Sequence, residues 1–234
     1  MVRARRAHAV RGVVPSGMDR PSSRGAFARF TTLALVSAGV CAFLARMLAK
    51  TKGTTFDARL LFFVVDHRTG WLTDTMRTVT WLGSRWILAP LIAVVGGFFV
   101  FSHRDWRPGT RLAAALVGGF GLHLLVRHFV ERPRPPAHLW LGAYTGSSFP
   151  SLHATLTMAV YGMLSAILCS NQSQRRRTVI WSLAVLVTLV VGASRVYLGA
   201  HWPTDVFGGY TLGAAWLSFL LAMTTRAWIP VEHP

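Results

Sequence analysis

Three short stretches of the chain combine residue types suited to phosphoryl chemistry. The first runs Arg127-His128-Phe129-Val130-Glu131-Arg132-Pro133-Arg134-Pro135. The second is Phe149-Pro150-Ser151-Leu152-His153. The third runs Ser194-Arg195-Val196-Tyr197-Leu198-Gly199-Ala200-His201-Trp202-Pro203-Thr204-Asp205. Arg127, Arg134 and Arg195 are fixed cations, each with a planar fork that bonds two phosphate oxygens at once. Phosphoryl transfer depends chiefly on positioning the group and neutralising its charge. Many enzymes use carboxylate-held Mg²⁺ for this. Acids are scarce around these stretches, so the arginines are expected to replace the metal, and neither metal nor cofactor is expected.

His201 and Asp205 stand four apart, a spacing at which side chains meet near a helix start. A carboxylate bonded to one ring nitrogen would fix the tautomer and leave the other nitrogen to attack phosphorus. His153 then serves as the acid that protonates the leaving alkoxide. Pro150 is read at a helix start, where proline is favoured. The N–H groups of Ser151 and Leu152 would then point at a bound anion. Each residue also has a plain reading. An arginine at the end of a membrane span anchors to headgroups, and a Pro-Ser pair caps a helix. The argument for a site is their joint occurrence at these spacings.

One site must gather all three stretches, and the intervening chain indicates how. Of 234 residues 52% are hydrophobic, and the mean hydropathy is +0.42. Apolar runs fall near 31–49, 86–102, 111–129, 152–169, 179–194 and 206–223. Each approaches the roughly 20 residues that an α-helix needs to cross a bilayer core. The expected fold is therefore all-α, a six-span transmembrane helical bundle. The three chemical stretches sit on alternate loops and so share one side of the membrane. Residues 53–85 mix apolar and charged positions, with Trp71, Trp81 and Trp86 in or beside them. They are expected to form an amphipathic helical segment in the headgroup layer, containing Asp57 and Asp66. Asp57, Asp66, His67 and Arg68 argue against a seventh span there.

Residues 1–29 are expected to be a disordered basic cytoplasmic tail, 30–225 the transmembrane domain with its motif-bearing core at 111–223, and 226–234 a short cytoplasmic tail. The formal charge is +17, from 25 Lys+Arg against 8 Asp+Glu. These cations lie between apolar runs and not on one soluble face, so no nucleic-acid partner is expected. Basic residues are more numerous on the side that carries both termini, which places N- and C-termini in the cytoplasm and the site outside. The expected location is an integral membrane protein of a bacterial plasma membrane. Cys41 and Cys169 fall inside apolar runs and are read as small core residues. His123, inside the third run, is read as facing the bundle interior. Glu131 is four residues from Arg127 and could pair with it.

At these positions the chain resembles the type 2 phosphatidic acid phosphatase family, whose site plan is shared with vanadium haloperoxidases. The family pattern is Lys, six residues, Arg-Pro; then Pro-Ser-Gly-His; then Ser-Arg, five residues, His, three residues, Asp. Here it reads Arg127, six residues, Arg134-Pro135; then Pro150-Ser151-Leu152-His153; then Ser194-Arg195, five residues, His201, three residues, Asp205. The resemblance implies phosphate binding by Arg127, Arg134, Ser151, Leu152 and Arg195. It implies His201 as nucleophile, Asp205 as its partner and His153 as general acid, without metal. Arg127 for Lys and Leu152 for Gly are the two departures. The expected activity is hydrolysis of a lipid phosphate or diphosphate, such as phosphatidate, phosphatidylglycerol phosphate or polyprenyl diphosphate. The alternative is a catalytically silent relative that binds lipid phosphate or a protein partner. Six spans also allow a transporter, but the intramembrane polar residues are too few to mark a path.

Overall fold

The computed structural model describes residues 23–170 and 172–226. Eight α-helices follow in order: α1 (Ser23–Leu48), α2 (Thr55–Asp66), α3 (Gly70–Val79), α4 (Arg85–His103), α5 (Arg107–Phe129), α6 (Leu152–Leu168), α7 (Gln174–Tyr197) and α8 (Pro203–Arg226). Short 3-10 turns at Thr80–Gly83 and Ala137–Leu139 complete the regular structure among the described residues. The expected tail at 1–29 lies mostly outside the described residues, and its last residues, 23–29, are the first turns of α1. The expected tail at 226–234 lies outside them beyond Arg226.

α1, α4, α5, α7 and α8 are each long and apolar enough to cross a membrane. α6, the remaining expected span, has 17 residues and falls short of that length. It is the centre of the bundle, packed against α5, α7 and α8. That position explains its composition. Ala154, Ala159 and Gly162 let neighbouring helices come close, while Leu156, Val160 and Met163 fill the core with Leu88, Ile92, Leu112 and Leu217. α1 lies along α8, and α4 lies along α5.

The segment between α1 and α4 holds two short helices and a 3-10 turn. α2 starts with a reciprocal cap. The Thr54 hydroxyl accepts the Asp57 N–H at 3.1 Å, and the Asp57 carboxylate accepts the Thr54 N–H at 3.0 Å. Asp66 ends the helix exposed, but Asp57 is fully buried. Asp57 therefore faces protein and not the headgroup layer that its amphipathic segment suggested. The cause is a long-range ion pair with Arg132, invisible to local periodicity.

Candidate active site

The C-terminal ends of α5 and α7 and the N-terminal ends of α6 and α8 meet at one end of the bundle. The Ser151 N–H donates to the Asp205 carbonyl at 3.0 Å, and the Leu141 N–H to the Leu198 carbonyl at 3.0 Å. The chain from 130 to 151 folds back on itself there. The Ser148 N–H donates to the Arg132 carbonyl at 2.9 Å, and the Trp202 indole donates to the Pro133 carbonyl at 2.9 Å. Gly199 turns the chain between α7 and α8 with φ +71, and a Cβ there would stand 2.4 Å from the Leu139 carbonyl oxygen. Only glycine combines that φ with so close an approach.

This packing brings the predicted site residues together. Arg127 and Arg134 both donate to the Thr145 carbonyl at 3.2 Å. Arg134 also donates to the Ala200 carbonyl at 2.6 Å and the Gly146 carbonyl at 3.1 Å. Gly146 has φ +70, and a Cβ there would collide with the Arg127 guanidinium at 1.8 Å. The Arg195 guanidinium donates to the Thr80 hydroxyl at 2.9 Å and lies 5.2 Å from the Tyr144 ring centre; Arg134 lies 5.8 Å from the same ring. Tyr144 thus stands between two cations, held by cation–π attraction. Burial pushes the Arg134 guanidinium down to about 10, and the charges of Arg127 and Arg195 add to the effect. It remains charged at neutral pH. Three cations this close repel one another and favour a multiply charged anion among them.

Two buried donors in this cluster, Ser151 Oγ and Arg195 Nε, have no protein partner among the described residues. Buried polar atoms are normally satisfied. Phosphate oxygens fit both.

His201 is buried, and its Nδ1 lies 2.7 Å from the Ser148 carbonyl oxygen. A carbonyl only accepts, so Nδ1 carries the proton and Nε2 keeps its lone pair. The expected Asp205–His201 hydrogen bond is not the contact formed. The nearer Asp205 oxygen is 3.7 Å from Nδ1 and instead accepts the Trp202 N–H at 2.8 Å. The Ser148 carbonyl sets the tautomer, and Asp205 acts on the ring through its field. Burial pushes the His201 imidazole down to about 4; Asp205 pulls upward, and Arg134 and Arg195 push further down. The imidazole is therefore neutral across the physiological range. The acid limb of kcat/KM is expected near pH 4, where protonation removes the lone pair. In a pH–rate profile, an acid limb at pH 6 to 7 that does not follow the substrate's own ionisation would contradict this environment.

Two details at the start of α6 differ from expectation. Pro150 precedes the Ser151 cap and so lies outside the first helical position. The Ser151 N–H is taken by the Asp205 carbonyl and cannot serve an anion. Leu152 opens the helix with no residue closing on its N–H among the described ones, and its φ is not positive. A leucine is unstrained here, and its side chain packs against the central core. Leu152→Gly is therefore expected to leave kcat within a few-fold of wild type while lowering stability by about 2 kcal/mol, from lost packing and the greater freedom of glycine. Thermal melting beside an activity assay checks this; a gain of tenfold or more in kcat would mean the leucine crowds the phosphate.

His153 lies within electrostatic reach of Arg195 and His201, and its ring packs beside Gly83 of the first 3-10 turn. His123 is buried in the bundle as expected. Glu131 is exposed in the loop after α5 and forms no ion pair among the described residues, because the helix ends before it. Sequence reasoning missed Thr80, Tyr144 and Ser148, which touch site residues only through the fold. It also gave no role to Arg132 and Asp57, which form a buried pair behind Asp205.

The profile of the PAP2 superfamily matches residues 108–229, just over half of the chain. The chain belongs to the PAP2 superfamily. Among relatives of this PAP2 protein is phosphatidylglycerophosphatase B of Bacillus subtilis (strain 168), 33% identical over 150 residues, covering 62% of this chain and 72% of the relative. An undecaprenyl-diphosphatase of Sulfolobus acidocaldarius is 26% identical over 180 residues, covering 75% and 81%. The crystal structure of a transmembrane PAP2-type phosphatidylglycerolphosphate phosphatase from Bacillus subtilis matches with a TM-score of 0.77 and 26% identity, covering 86% of this chain and 99% of that one. The family match begins in α5, so α1 to α4, with Asp57 and Thr80, lie before it.

Proposed function

We propose that this PAP2 protein hydrolyses a lipid phosphate or diphosphate through a phosphohistidine intermediate at the outer membrane face. The observation that carries this is the neutral, fixed His201 among three arginines and two unpartnered donors. Arg127, Arg134, Arg195 and Ser151 hold the phosphate oxygens, with the Leu152 N–H beside them. His201 Nε2 attacks phosphorus; a P–N bond forms as the ester or anhydride P–O bond breaks. His153 gives its proton to the departing oxygen. Water then attacks the phosphohistidine and gives a proton to His153, and the P–N bond breaks to release phosphate. Asp205 stabilises the positive charge that develops on His201. Charge neutralisation by arginines gives the reaction no need of a metal.

The relatives act on a phosphatidylglycerol phosphate and an undecaprenyl diphosphate by their names, which supports a substrate whose tail stays in the bilayer. Six spans, with α6 as the short central one, and α2 and α3 at the headgroup layer would place the site at that level. Exposed Trp71, Trp81 and Trp86 support this, because tryptophan favours the interface. The excess of arginines around the termini and the loop of Arg175, Arg176 and Arg177 supports cytoplasmic termini.

The test is phosphate release by protein in detergent with EDTA present, across phosphatidate, phosphatidylglycerol phosphate and polyprenyl diphosphate. Release within about twofold of the EDTA-free rate is expected for at least one substrate. Strict dependence on Mg²⁺ would refute the role of the arginines. No release from folded protein would turn the reading to a silent lipid-phosphate binder.

A further inference from the structure

Arg132 and Asp57 are both fully buried; Arg132 occupies an undefined position between Arg127 and Arg134 of the first motif, and Asp57 lies outside all three. Arg132 Nη2 donates to Asp57 Oδ2 at 2.7 Å, and Nη1 donates to Asp205 Oδ1 and to the Thr204 hydroxyl. Asp57 Oδ1 in turn accepts the Thr204 N–H at 2.9 Å. One guanidinium thus joins α2 to the first turn of α8. The main chain of the same residue reaches the other side of the nucleophile. The Arg132 carbonyl accepts the Ser148 N–H at 2.9 Å, and the Ser148 carbonyl is the acceptor facing His201 Nδ1.

We propose that Arg132, clamped by Asp57, is a positioning residue for the nucleophile that sets the place of both acceptors facing His201 Nδ1. Its side chain holds Asp205 Oδ1 while the Trp202 N–H holds Oδ2, which stands 3.7 Å from the ring nitrogen, and its backbone carbonyl anchors Ser148. The Ser148 carbonyl fixes the tautomer without charge, and Asp205 keeps a moderated field on the ring. A direct Asp205–His201 hydrogen bond would still leave Nε2 unprotonated in the neutral ring, but it would raise the ring's proton affinity and so the fraction present as imidazolium at a given pH. The role rests on His201 as the nucleophile. It also gives α2, which lies before the region matched by the family, a part in the chemistry.

The charged and titratable groups around His201 are Asp205 on α8, Arg195 on α7, His153 on α6, His123 on α5 and Arg134 in the loop. Arg132→Lys keeps the charge but cannot bond both carboxylates with one fork, so Asp205 is freed toward the ring. The double variant Arg132→Gln with Asp57→Asn removes the pair with no change in net charge. Asp57→Asn alone leaves Arg132 wholly to Asp205.

The experiment follows the His201 ring by NMR in full-length protein carrying ¹³C-labelled histidine, in detergent, with the resonance assigned by its loss in His201→Ala. Phosphate release and thermal melting are measured on the same samples. Arg132→Lys and the double variant are expected to titrate about one pH unit or more above wild type. The acid limb of kcat/KM should move with them. Asp57→Asn alone is expected to titrate at or below wild type. A purely structural pair would lower the melting temperature and the active fraction and leave the titration unmoved; that result overturns the proposal. An equal upward shift in all the variants also overturns it, since that would mark general loosening. If Arg132→Lys does not fold, the double variant and Asp57→Asn still give opposed expectations. Absence of phosphate release in wild type would defeat the phosphatase reading separately, because the titration needs no substrate.

Discussion

His201→Ala is expected to abolish phosphate release, with a loss on the order of 10³-fold or more in kcat. The Ser148 carbonyl holds Nδ1 of the imidazole, which leaves Nε2 free for the attack that the proposed mechanism requires. Its removal leaves the arginine cluster intact, so substrate should still bind, and KM should change far less than kcat. The fold should survive. The side chain contributes one hydrogen bond, to Ser148, worth about 1 kcal/mol net, within a well-packed bundle. Phosphate release, detergent gel filtration and thermal melting together check the expectation. A mutant that turned over at the wild-type rate would end the phosphohistidine mechanism.

The second large effect belongs to Arg195. Its guanidinium is nearly buried, anchored on the Thr80 hydroxyl, with Nε free of partners among the described residues. Under the proposed mechanism this arrangement serves as a preorganised donor for charge that grows in the transition state. Arg195→Gln is expected to lower kcat/KM by about 10² to 10³-fold. Arg195→Lys should recover only part of this, because a point charge cannot reproduce the two-pronged contact. Initial rates at varied substrate measure both. A glutamine variant within tenfold of wild type would remove Arg195 from the transition state. A lysine variant equal to wild type would show that charge alone suffices.

Thr80 shows how the site draws on a region with no motif. It sits in the 3-10 turn after α3 and holds Arg195 across 115 residues of sequence. Tyr144 presents its ring to Arg134 and Arg195 from a loop with no periodic signal. Neither partnership could be inferred from spacing, because each depends on where the chain returns. The start of α6 gives a contrasting case. The apolar run there begins at 152, as α6 does, but Pro150 is read at the first helical position, which it does not occupy, and the Ser151 N–H is assigned to an anion. The Asp205 carbonyl takes that N–H because α8 begins alongside.

The order of apolar runs was enough to establish the helical class and the approximate bounds of α4 to α8, because burial in a bilayer requires long uninterrupted apolar segments. Motif spacing was enough to nominate Arg127, Arg134, Ser151, Leu152, His153, Arg195, His201 and Asp205, because such residues must recur at fixed intervals to reach one phosphate. The partners of those residues came only with the folded chain. The acceptor that fixes His201 is a backbone carbonyl, identical in every residue type and so silent in sequence. Asp57 reads as a surface acid in its own helix and becomes a buried counter-ion only when Arg132, 75 residues later, reaches it. Local patterns record the environment that an element needs, and long-range packing decides which polar groups meet inside it.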